Sequence, residues 1–109
     1  MWILRTLAGP DDGPATFRLL PGSMKTLGRA IRADFVLDAP LVSRVHCRLT
    51  CSETDRLEVE DLRSTNGTFV NNRRIQRAVL ITGDRVRVGR VEFEVAHDGA
   101  PVVAKATEE

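Results

Sequence analysis

The sequence predicts an all-β protein, a sandwich of about ten to eleven short, mainly antiparallel strands. Three observations carry that expectation. Apolar and polar residues alternate along Arg85-Val86-Arg87-Val88 and Val91-Glu92-Phe93-Glu94-Val95, the period of half-buried strands. No segment holds a 3.6-residue apolar period over even three turns. The apolar runs are short, and clusters of Gly, Pro, Asn and Asp punctuate them at regular spacing.

Taken in order, "MWILRTL" reads as a strand and "AGPDDGP" as a loop of turn-forming residues. "TFRLL" ends at Pro21-Gly22, "KTLG" stops at Gly28-Arg29, and "DFVLD" is followed by an irregular link through Ser43. In "VHCRLTC", Val45, Cys47, Leu49 and Cys51 alternate with His46, Arg48 and Thr50. The polar "SETDR" separates this strand from "LEVEDL". Asn66-Gly67, between two apolar runs, is a strong hairpin signal. "TFV" then leads into "NNRRI", read as a further turn. "AVLI", "RVRVG" and "VEFEV" complete the set. Residues 1–97 are read as one domain and 98–109 as a tail or linker.

At 109 residues the chain has room for one core without staples. Nothing at its start reads as a signal peptide, and no apolar run approaches the roughly 18 residues of a membrane span. An intracellular setting is expected. Asn66-Gly67-Thr68 matches a glycosylation acceptor, but in that setting the match has no consequence. Cys47 and Cys51 stand four strand steps apart, roughly 13 Å and beyond disulfide reach, so two reduced, core-facing thiols are expected. The net charge of +1 excludes a general polyanion binder. The distribution is uneven: seven arginines (63, 73, 74, 77, 85, 87 and 90) meet a single acid, Asp84, across residues 63–90. Arginine supplies a planar, bidentate donor suited to phosphate and carboxylate.

Three polar islands fall in loops: Gly28-Arg29, Ser43-Arg44-Val45-His46, and Ser64-Thr65-Asn66-Gly67-Thr68. Loops on a rigid sandwich commonly carry binding groups. The inventory is guanidinium, hydroxyl and carboxamide, rich in donors and without a nucleophile beside its base, which describes a receptor for a small dianion.

In order and spacing, "LGR", "SRVH", "DLRSTNGTFVN", "GDRVRVG" and "VEFEV" resemble the forkhead-associated (FHA) domain over about residues 2–96. The resemblance implies two twisted antiparallel sheets with a phosphothreonine-peptide site in the loops at one end. It implies phosphate contacts from Arg29, Ser43 and Arg44, and a contact from Thr65 to the phosphate or the wall around the threonine methyl. Asn66 is implied to bind the peptide backbone, with Gly28, His46 and Gly67 as scaffold. Some members carry, two residues before the serine, an arginine that reads an acidic residue three positions after the phosphothreonine. Here that position is Leu41, which favours an apolar residue unless Arg73, Arg74 or Arg77 restores acid preference.

A second similarity is to the N-terminal FHA domains of nibrins, through Met1-Trp2, "AGP", "FRLLPG" ahead of "LGR", and Ser43-Arg44-x-His46. It implies docking in the DNA damage response and a nuclear setting. Against it stand the complete Ser-Thr-Asn-Gly-Thr loop and the lack of a BRCT segment. The alternative is a bacterial-type adaptor for a serine/threonine kinase, in the cytoplasm.

Other classes fit less well. Ser43 and His46 lie three apart with no Gly-x-Ser-x-Gly motif, so no enzyme is expected. His46, Cys47, Cys51 and His97 lack metal-ligand spacing, so neither metal nor cofactor is expected. The Arg63–Arg90 stretch is the one feature that suggests nucleic acid, and a single aromatic, Phe69, lies among those arginines to stack on a base.

Overall fold

The computed structural model describes residues 1–8 and 15–98. The predicted loop "AGPDDGP" and the predicted tail lie almost wholly outside them. Eleven strands run in chain order: β1 (Trp2–Ala8), β2 (Thr16–Leu19), β3 (Met24–Gly28), β4 (Phe35–Val36), β5 (Cys47–Cys51), β6 (Leu57–Asp61), β7 (Thr68–Val70), β8 (Arg73–Ile75), β9 (Arg77–Leu80), β10 (Arg85–Val88) and β11 (Val91–His97). No α-helix occurs among the described residues. One sheet has six strands in the order β2-β1-β11-β10-β7-β8, and the other has five in the order β4-β3-β5-β6-β9. All pairings are antiparallel except the short β3–β4 pair, which is parallel.

The inward positions of the two sheets form one core. Leu4, Val86, Val88, Phe93 and Val95 face Leu27, Cys47, Leu49, Leu57, Val59 and Leu80, each at most 2% exposed. Their outward neighbours are polar, as in the row Thr26, Arg48, Glu60, Arg77 across four strands of the smaller sheet. Phe17 stacks on Phe35, with ring centroids 4.6 Å apart, and closes one open side.

Three local expectations are corrected. Asn66-Gly67 is not a hairpin turn, because β6 and β7 belong to different sheets and the loop between them crosses the sandwich. The two-residue hairpin joins β7 to β8 at Asn71 (φ 51°) and Asn72 (φ 69°), both left-handed as a primed turn requires. "NNRRI" therefore holds a turn and a strand. The alternation read from Val45 also fails at its start: Val45 is partly exposed and His46 fully buried, because the strand begins only at Cys47.

Register places the loops. Leu27 pairs with Cys47 and Cys47 with Asp61, so the end of β3, the start of β5 and the end of β6 lie side by side. The three polar islands therefore meet at one end of the sandwich. The β5–β6 hairpin closes the other end, where Trp2 Nε1 donates to the Asp55 carbonyl at 2.9 Å and the Asp55 carboxylate meets His97 Nε2.

Candidate functional site

The site is built outward from His46. Its Nδ1 accepts the Ser43 backbone N–H at 3.0 Å, and its Nε2–H donates to the Gly67 carbonyl at 2.8 Å. One neutral imidazole of fixed tautomer thus ties the serine loop to the Asn-Gly loop. Burial pushes its pKa below the usual histidine range, against the opposing pull of the Gly67 carbonyl and of Asp61.

Asp61 is the second post. Its carboxylate accepts from the Ser64 hydroxyl at 2.5 Å, the Ser64 N–H at 3.2 Å and the Thr68 hydroxyl at 2.7 Å. Burial raises the carboxyl pKa, but these hydrogen bonds and nearby His46 outweigh it and hold the pKa below the ordinary range. Gly67 N–H in turn donates to Ser64 Oγ at 2.9 Å. The hydroxyls of Ser64 and Thr68 are therefore buried struts. Of residues 64–68 only Thr65 and Asn66 line open surface at this end. Asp61 is not among the residues that sequence reasoning singles out. The signal present was Asp-x-x-Ser, the spacing at which a carboxylate caps a following turn.

Close backbone packing fixes the third wall. Arg29 N–H donates to the Ser43 carbonyl at 2.9 Å and Ala30 N–H to the Arg44 carbonyl at 3.0 Å. A Cβ on Gly28 would stand 2.2 Å from the Arg44 carbonyl oxygen, so only glycine permits this approach. Arg29 Nε donates to the Val42 carbonyl at 3.1 Å, which orients the guanidinium and leaves its terminal amino groups without a partner among the described residues. Thr65 N–H donates to Ser43 Oγ at 3.1 Å, and Asn66 Nδ2 donates to the Leu41 carbonyl at 3.0 Å.

Two grooves share the wall formed by Arg29, Ser43 and Thr65. The first, about 530 Å³, continues over Asp38, Ala39, Pro40, Leu41, Val42 and Asn66. The second, about 340 Å³, continues over Arg32, Arg44, Val45 and Arg63. The five predicted contact residues thus come together: three on the shared wall, Asn66 on one side and Arg44 on the other. Gly28, His46 and Gly67 lie beneath them, each buried. Sequence reasoning did not place Arg32 and Arg63 at the site. The arrangement offers exposed guanidinium groups, a hydroxyl and an amide-rich loop to an anion.

The seven arginines of residues 63–90 do not make one basic face. Arg77 lies in the five-stranded sheet beside Glu58 and Glu60, and Arg85 and Arg87 pair in register with Glu94 and Glu92 in the other sheet. Arg87 also covers the Phe69 ring, 4.2 Å from its centroid.

Comparison with known proteins agrees with this geometry. Residues 25–89 match the FHA domain family. The chain is 40% identical over 82 residues to the oxoglutarate dehydrogenase inhibitor of Corynebacterium efficiens, covering 75% of this chain and 56% of the relative. It is 37% identical over 82 residues to the glycogen accumulation regulator GarA of Mycobacterium tuberculosis, covering 75% and 49%. The chain thus matches only about half the length of these relatives. An FHA domain structure described for phosphothreonine-dependent interactions superposes with a TM-score of 0.79 at 32% identity, covering 91% of this chain and 98% of that one. The chain belongs to the FHA domain family.

Proposed function

We propose that this protein is a phosphothreonine-dependent peptide-binding module that docks a phosphorylated partner protein. The observation that carries the reading is the shared wall at the meeting point of the two grooves. There the Arg29 amino groups are unspent, and Ser43 Oγ accepts from Thr65 and so keeps its own proton to donate. Phosphothreonine brings about −1.5 to −2 charges and three acceptor oxygens to such donors. Charge-assisted hydrogen bonds contribute roughly 1.5–3 kcal/mol each. Three of them, with Asn66 on the peptide backbone and less the ordering costs, give micromolar affinity, about −8 kcal/mol. Residues 1–97 are taken as the binding unit, and it carries out no catalysis of its own.

The bacterial regulators among its relatives favour an adaptor in serine/threonine-kinase signalling, in the cytoplasm, over the nibrin-like role in DNA repair. The dispersal of the arginines removes the support for nucleic acid. The test is fluorescence anisotropy with a phosphothreonine peptide beside its phosphoserine and unphosphorylated twins. Binding should require phosphothreonine and fall at least about thirtyfold in Arg29→Ala, the cost of truncating one side of a desolvated charge pair. Equal binding of the three peptides would refute the reading.

A further inference from the structure

The second groove holds more positive charge than one phosphate calls for. Arg29, Arg32, Arg44 and Arg63 all line it, and no acidic side chain does. Arg5, Arg48 and Arg77 each meet a glutamate; these four, like the other arginines, make no ion pair among the described residues, and what sets them apart is that they line one groove. Like charges converging without counter-charge raise the local potential and attract an anion from outside.

The backbone fixes where the two outlying guanidinium groups start. Arg63 sits in the left-handed region at φ 57°, uncommon for a residue with a side chain. Its neighbours hold it there: Leu62 N–H donates to the His46 carbonyl at 3.0 Å, and Ser64 N–H to the Asp61 carboxylate at 3.2 Å. Arg32 stands in a turn closed by Ala33 N–H on the Ala30 carbonyl at 3.0 Å and anchored by the buried Ala33.

We propose that Arg32 and Arg63 form a second anion subsite, for a carboxylate or a second phosphate on the same peptide, on the flank of the phosphothreonine away from Leu41. This rests on the phosphothreonine reading above. Beyond the shared wall the two grooves have no lining residue in common, one continuing over Leu41 and Asp38, the other over the arginines. A peptide whose phosphate lies on that wall therefore meets apolar surface on one side and guanidinium groups on the other. Its acidic residues belong with the arginines.

The experiment uses a phosphothreonine peptide with alanine flanks as reference. Aspartate, and in a second series phosphothreonine, is placed in turn at each of the four positions on either side. Affinities are measured for wild type, Arg32→Ala, Arg63→Asn and the double variant. Asparagine is chosen at 63 because it tolerates positive φ. The readout is the gain from the added anion within each protein, so a general loss of affinity does not disturb it. Wild type should gain about tenfold at one or two positions on one flank only, the yield of one further charge-assisted contact. The gain should fall below about twofold in the double variant. Aspartate and phosphothreonine gaining alike makes the subsite a generic acid reader; phosphothreonine alone gaining makes it a second-phosphate reader. No gain on either flank, or an undiminished gain in the double variant, overturns the proposal. Failure of the reference peptide itself to bind would overturn the phosphothreonine reading, and this one with it.

Discussion

Thr65 donates its backbone N–H to the Ser43 hydroxyl oxygen at 3.1 Å, across 22 residues of chain. The hydroxyl is thereby both strut and donor, since accepting from Thr65 leaves its proton free. Ser43→Ala removes the donor and unties the Thr65 loop. Affinity for a phosphothreonine peptide should fall roughly tenfold to a hundredfold, with little change in stability because the site is open to water. Titration calorimetry beside thermal melting checks both parts, and wild-type affinity in the variant would remove Ser43 from the site.

Gly28 has no left-handed φ to explain it, so its requirement is pure contact. The Arg44 carbonyl, 2.2 Å from where a Cβ would lie, belongs to backbone that cannot swing away like a side-chain tip. Gly28→Ala should cost about 1–3 kcal/mol, the range for overpacking, and lower Tm by at least about 4 °C. Because the two backbone segments pushed apart carry Arg29 and Ser43, peptide affinity should fall as well. Calorimetric melting decides, and an unchanged Tm would contradict the contact.

That Gly28 and Ser43 belong to polar loops was legible in the sequence on chemical grounds, and their roles came from the resemblance to FHA domains. A donor-rich set in three loops has few uses, and the alternation of β10 and β11 supplied the sandwich that holds it. Three things were not legible. Asp61 looked like one acid among several because its hydrogen bonds run to Ser64 and Thr68, whose hydroxyls looked equally available to a ligand. The edge strand β8, Arg-Arg-Ile, is too short to show a period and buries almost nothing. Asn66-Gly67 carries a true turn signal, yet the Ser64 and Thr68 hydroxyls around it are spent on Asp61 and the Thr65 backbone N–H on Ser43, so the chain crosses between sheets and the hairpin forms at Asn71-Asn72.

Protonation should loosen the site from beneath. His46 is neutral in the folded protein, with a pKa held below its unfolded value, so its contribution is complete above about pH 6.5. As pH falls below that, the unfolded chain takes up a proton first and stability declines until the folded pKa is passed. The depressed Asp61 adds a second loss below about pH 4, as pH falls through its folded pKa. Melting temperature against pH, compared between wild type and His46→Gln, isolates the first step, because His97 sits at the far end of the sandwich and is common to both. A wild-type Tm that does not decline between pH 7 and 5 relative to the variant would contradict the assignment.

Cys47 and Cys51 are free and each 1% exposed. Burial pushes the Cys47 thiol up to about 12 and the Cys51 thiol, which also donates to Asp55 at 3.3 Å, up to about 11. Neither supplies thiolate near neutral pH, so both should resist iodoacetamide in native buffer and react promptly in denaturant. Mass spectrometry of the timed reaction checks this. Fast native labelling of either would mean that the smaller sheet opens readily.

The residue three places after the phosphothreonine should be apolar. Leu41, nearly half exposed at φ 69°, lines the first groove with Pro40 and Val42, and beyond the shared wall Asp38 is the only charged side chain among the described residues that line it. The arginines that could have restored acid preference are elsewhere: Arg77 lies beside Glu58 and Glu60, the Arg74 side chain lies over Gly67, and none of Arg73, Arg74 and Arg77 lines the groove. An aspartate there would meet Asp38 and, apart from the Arg29 that the phosphate engages, no cation lining the groove. At an open site such a like-charge encounter is modest, so leucine or isoleucine should beat aspartate by up to about fivefold. Leu41→Arg supplies the missing cation and should reverse the order. A peptide series with Asp, Ile or Leu at that position, run on both proteins, tests it; aspartate winning in wild type would show that another positive group reaches the groove.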